Sequence, residues 1–95
     1  MKHAITVLVL AALLAIYGCS CTRASTVAGA HRYYDAFGNA SIVETRTGRV
    51  LAVIYDNPDG SVEAYLPDPY FDLGYFVDIK HGVAAAEKAI VERRP

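Results

Sequence analysis

The sequence predicts an α+β fold, a small antiparallel β-meander of about four strands packed against one C-terminal helix. Three observations predict it. Turn chemistry recurs at short intervals, at Gly38-Asn39, Thr47-Gly48 and Asn57-Pro58-Asp59-Gly60. Each group has a reason to reverse the chain: Gly supplies positive φ, Pro presets the first corner, and Asn or Asp bonds back to the backbone. Val62, Ala64 and Leu66 alternate with Ser61, Glu63 and Tyr65, the period of a half-buried strand. Ile79, Val83, Ala86 and Ile90 recur at spacings of four, three and four, one stripe of a helix.

At 95 residues the chain has room for a single domain. Its 54% hydrophobic content is unevenly spread. No charged residue lies between Lys2 and Arg23, and residues 4–16 are apolar except for Thr6. A short positive start, an apolar run and a small-residue boundary form the three-part layout of a bacterial export signal. As a helix, residues 4–16 span about 20 Å at ~1.5 Å per residue, less than the roughly 30 Å hydrocarbon layer.

Ile16-Tyr17-Gly18-Cys19 resembles the lipobox of bacterial lipoproteins: an aliphatic residue, small residues, and then the cysteine that receives the lipid. Tyr17 stands where a small residue is usual. The resemblance covers about the first fifth of the chain and implies residues 1–18 as a signal peptide. It further implies a diacylglyceryl group on the Cys19 sulfur and an acylated Cys19 amine after cleavage. Two or more acyl chains anchor stably where one does not. Ser20, which is not aspartate, leans the resemblance toward the outer membrane, facing the periplasm. Cleavage after Ala24, at the small-x-small site Thr22-Arg23-Ala24, and an uncleaved anchor running on to Cys21 are the alternatives. Cys19 and Cys21 are too close in sequence for an unstrained disulfide with each other, and a zinc site would need further ligands.

Residues 19–30 read as the lipidated cysteine and a flexible tether, being small and hydroxylated with one Arg. The folded domain is then residues 31–95, a size that is marginal without a disulfide. Residues 31–37 form the first strand, aromatic and at an edge. Residues 39–46 form a more polar second strand, and residues 50–55 a central third strand, apolar on both faces. Val62–Leu66 belongs to the fourth. Pro67 and Pro69 break the pattern, so that residues 67–77 read as an aromatic loop with a short fifth strand near 74–77. Asp78 is placed as the helix N-cap. Glu87, Lys88 and Glu92 lie off the apolar stripe, and Arg93 and Arg94 suit the C-terminal end of the dipole.

The formal net charge of −1 argues against nucleic acid as the main partner, since phosphate binding needs a basic excess. Asp78 and His81 share one helix face but have no further ligand in sequence, so no metal and no cofactor are expected. Asp56–Gly60 does not match a calcium loop, because Pro58 and Gly60 occupy the third and fifth positions. Asp68, Asp72 and Asp78 offer carboxylates for glycan chemistry. A domain this small leaves little room for a cleft, and there is no nucleophile elbow or phosphate loop, so the chain reads as a non-enzyme. The interaction candidates are Tyr70, Phe71 and Tyr75 in the aromatic loop, extended by Tyr33 and Tyr34, because aromatic side chains dominate interface centres. The competing reading is that Phe71, Leu73 and Phe76 complete a small core under the helix, since a marginal domain needs every large side chain it has. The expected role is a lipid-anchored binding or structural accessory module of the cell envelope, with an envelope protein as its candidate partner. An exclusion or immunity lipoprotein of a phage or plasmid, and a cell-wall glycan-binding module or small enzyme, are the rival readings.

Overall fold

The computed structural model describes residues 21–94. Six strands form one sheet: β1 (Cys21–Ala24), β2 (Ala30–Tyr34), β3 (Ala40–Glu44), β4 (Val50–Asp56), β5 (Val62–Pro67) and β6 (Tyr70–Phe76). They lie in sequence order, each antiparallel to the next. The helix α1 (Ile79–Arg93) returns across one face and packs on β3, β4, β5 and β6. The α+β class and the meander thus hold, with six strands in place of four.

The turns form where the sequence calls for them. Gly60 takes φ +90°, and its N–H donates to the Asn57 carbonyl at 2.9 Å. Asp59 completes that turn by accepting from both the backbone and the hydroxyl of Ser61, at 2.9 and 2.7 Å. Asp78 caps α1, its carboxylate accepting the His81 N–H at 2.8 Å.

The core lies between α1 and the sheet. Ala40, Ile42, Ala52, Ile54, Val62, Ala64 and Leu66 face Val83, Ala86 and Ile90. The alanines keep the layers close, and Gly82 brings α1 closer still: a methyl group there would sit 2.8 Å from Ile54 Cγ2. Each large aliphatic side chain so buried contributes about 1.5–3 kcal/mol.

Four expectations are corrected. The described part of the expected tether, residues 21–30, is structured: β1 pairs along β2, and Val27 is 1% exposed in the core. All four β1 residues are exposed, so the strand is held by backbone pairing rather than by an alternating side-chain pattern. The β2 strand is consequently not an edge. The β4 strand is central, but it is fully buried on one face only, through Ala52 and Ile54. The aromatic loop is mostly strand β6, whose alternation is broken by a bulge. Ala64 pairs with Gly74 and Tyr65 with Asp72, leaving Leu73 as the extra residue. Gly74 absorbs the irregularity at φ +92°.

Candidate binding surface

Strand alternation assigns every second residue to the face away from α1. Across the sheet this places Tyr33, Ser41, Val53, Tyr65 and Asp72 in one register row. Tyr55, Glu63 and Tyr75 form the next. No element of the described chain covers this face. The Tyr55 and Tyr65 rings meet edge to face at 6.1 Å, and Tyr65 meets Tyr70 at 5.6 Å. Tyr70 and Tyr75 are 70% and 69% exposed. Tyr33, Val53 and Tyr55 border a shallow depression of about 360 Å³ beside them. The result is a five-tyrosine platform (Tyr33, Tyr55, Tyr65, Tyr70, Tyr75) floored by a rigid sheet.

One carboxylate organises part of the platform. The Tyr55 hydroxyl donates to Glu63. That bond pushes the Tyr55 phenol up to about 12. The Tyr55 and Tyr75 hydroxyls hold Glu63 below the usual carboxylate range, and Glu63 in turn raises Tyr75. At neutral pH Tyr55 and Tyr75 therefore present neutral phenols beside the ionised Glu63, and with the other rings they make an amphipathic surface suited to apolar contact and hydrogen bonding.

The structure divides the five aromatic residues singled out from the sequence. Tyr33, Tyr70 and Tyr75 are on the open face. Tyr34 packs against the core, and the Arg23 guanidinium lies 6.0 Å from its ring centre. Phe71 pairs with Leu66 and lies under Arg93 of α1, whose guanidinium carbon is 4.2 Å from the ring centre. Neighbouring residues of one strand thus serve opposite faces. Tyr55 and Glu63 were not read as site residues. Their positions two residues from Val53 and Tyr65 were the available signal, once the core face of β4 and β5 was known. Cys19 lies outside the described residues, and Cys21 is an exposed free thiol.

The most constrained polar group lies elsewhere. Glu87 was placed off the apolar stripe of α1, yet it is 3% exposed. Its carboxylate accepts from Arg32 Nη2 at 2.6 Å and Arg32 Nε at 3.0 Å, from the Thr26 N–H at 3.0 Å, and from the Ser25 hydroxyl. Burial pushes its pKa up, but these donors outweigh burial and hold it at about 2. The cluster ties the β1–β2 connection and β2 to the helix. With every acceptor engaged inside the protein, it is a structural clasp.

Asp78 and His81 are in contact, Nδ1 to Oδ1 at 2.6 Å, on the exposed first turn of α1. Among the described residues no group of three or more His, Cys, Asp or Glu is placed to hold a metal ion, and no helix is long and apolar enough to cross a membrane. No protein-family model, curated protein or solved structure matches the chain.

Proposed function

We propose that this chain is a small lipid-anchored protein of the bacterial envelope that binds a partner protein through the open tyrosine face of its sheet. The observation that carries the reading is the uncovered platform of Tyr33, Tyr55, Tyr65, Tyr70 and Tyr75. Tyrosines offer large contact areas at low conformational cost, with a hydroxyl at the rim of each ring. A sheet supports them more rigidly than a loop would. Anchoring rests on the lipobox-like Ile16-Tyr17-Gly18-Cys19, and the Ser20 that follows favours the outer membrane. In this reading the domain is an accessory module without catalytic residues.

Anchoring also shapes presentation. Only Ser20 separates Cys19 from β1, which begins at Cys21. A fully extended chain covers about 3.5 Å per residue, so the sheet would sit close against the lipid headgroups rather than at the end of a long leash. The test is co-purification of the full tagged chain from solubilised membranes. One specific envelope protein should be retained by the wild type and by Phe71→Ala, and lost in Tyr65→Ala/Tyr70→Ala. Retention by the double variant would refute the assigned surface.

The contact between the Tyr65 and Tyr70 rings, beside Glu63, also favours a second reading, glycan binding by stacking and carboxylate hydrogen bonds. Saturable, Tyr65-dependent retention on purified peptidoglycan would select it over the protein partner.

A further inference from the structure

The two ends of the meander differ in charge. The β2–β3 and β4–β5 turns and the start of α1 share one end, where Asp35, Asp56, Asp59 and Asp78 face a single lysine, Lys80. The β3–β4 and β5–β6 turns and the end of α1 share the other. There Arg46, Arg49, Arg93 and Arg94 gather, with Glu44, Asp68 and Glu92 among them.

The basic end holds a cleft of about 470 Å³ between α1 and the sheet. Its apolar lining is Leu51, Leu66, Pro69 and Ile90, and its charged lining is Arg49, Arg93, Arg94, Glu44 and Asp68. The volume lies in the range of small-molecule sites. Leu51 lies where the β3–β4 register shifts: Ile42 pairs with Ala52 but Val43 with Val50. The bulge turns Leu51 toward the helix side, where it packs against the core.

The arginines retain donors. Among the described residues no carboxylate forms an ion pair with Arg49, Arg93 or Arg94. The Arg93 guanidinium carbon lies 4.2 Å from the centre of the Phe71 ring, a contact that consumes none of its N–H hydrogen bonds. Arg94 gives one Nη1 bond to the Ala28 carbonyl at 3.0 Å and keeps its others. Planar guanidinium groups match the oxygens of a carboxylate or a phosphate. Glu44 accepts from the Thr47 hydroxyl at 2.6 Å, which turns part of its capacity toward the β3–β4 turn.

We propose that this cleft binds an anionic amphiphile: one acyl chain or comparable apolar body laid against Leu51, Leu66 and Ile90, its carboxylate or phosphate head held by Arg49 and Arg93. The site is separate from the tyrosine platform and does not depend on lipidation of Cys19. A free fatty acid and an anionic phospholipid share the required chemistry.

The test is photo-crosslinking in intact cells that express the full chain and are fed a diazirine- and alkyne-bearing fatty acid. The cells convert part of this probe into phospholipid, so the mass of each adduct identifies its source. The expected result is a light-dependent adduct mapping to peptides containing Leu51, Leu66 or Ile90. In Arg49→Gln/Arg93→Gln it should fall about tenfold or more, as expected when charge-assisted hydrogen bonds are lost. Equal protein levels and protease resistance establish that the variant is folded. A second variant, Leu51→Glu, should abolish the adduct by placing a charge where the acyl chain lies and removing apolar floor. Acylation of Cys19 is light-independent and maps to residue 19, so its success or failure is read separately. No light-dependent adduct at the cleft, or an adduct undiminished in the double-arginine variant, overturns the proposal.

Discussion

Arg32 Nη2 lies 2.6 Å from Glu87 Oε1, and Arg32 Nε lies 3.0 Å from Glu87 Oε2. This two-point pair joins β2 to α1 across the chain and, through Ser25 and Thr26, fixes the segment that enters the domain. A small domain with no disulfide among its described residues depends on such a clasp to define how its N-terminal strand docks.

Removing the carboxylate leaves Arg32 unpaired at the edge of the core. Glu87→Ala should therefore cost about 3–5 kcal/mol, the range for breaking a buried pair from one side. Urea unfolding of the two proteins measures it. A loss below 1 kcal/mol, on the order expected of an exposed pair, would show that the clasp is not a stabilising element.

The same group sets an acid limit. The Glu87 pKa is depressed to about 2 from an ordinary value of 4.5. A depressed carboxylate contributes stability that is fully present above its unfolded pKa and is lost as pH falls through its folded pKa. The contribution is on the order of 3 kcal/mol at neutral pH. It should begin to fall below about pH 4.5 and be gone near pH 2. Asp35, Asp59 and Asp78, also lowered by hydrogen bonds, act in the same direction. Unfolding free energies measured from pH 7 to pH 2 should decline steadily, and Glu87→Gln should flatten part of that decline.

Gly82 costs helix propensity, and α1 carries it for steric reasons. Alanine would gain about 1 kcal/mol of propensity. Its methyl would also meet Ile54 Cγ2 at 2.8 Å and Val62 Cγ1 at 3.3 Å, and overpacking of a tight core costs about 1–3 kcal/mol. Gly82→Ala should thus lower the melting temperature. A rise would mean that the helix can move off the sheet at little cost.

Lipidation is tested by fatty-acid labelling. Label should enter the wild type and be absent from Cys19→Ala. Label retained in that variant would place the modification elsewhere and remove the basis for an anchor at the start of the sheet.

Much of the domain was legible because its signals are local. The turns at Gly38, Gly48 and Gly60, the Asp78 cap and the Val83–Ala86–Ile90 stripe each declare themselves within a few residues. What was missed depends on distant partners. Cys21–Ala24 has no apolar alternation and becomes a strand only because β2 offers it a backbone ladder. Glu87 reads as a solvated helix charge until Arg32, 55 positions earlier, is brought against it. The aromatic segment reads from sequence either as a contact region or as core, and the bulge at Leu73 hid which rings share a face. Tyr55 and Glu63 joined the platform only once the cross-strand register was known.

The central claim, that the tyrosine face is the docking surface, is tested most directly by site-specific photo-crosslinking in intact cells. A benzophenone amino acid is placed singly at positions 33, 65 and 70, and at position 88 on the opposite, helix-bearing side, where Lys88 is 78% exposed. One discrete cross-linked protein is expected from the three sheet positions and none from position 88. The same product from position 88, or no discrete product from any of the three sheet positions, would contradict it.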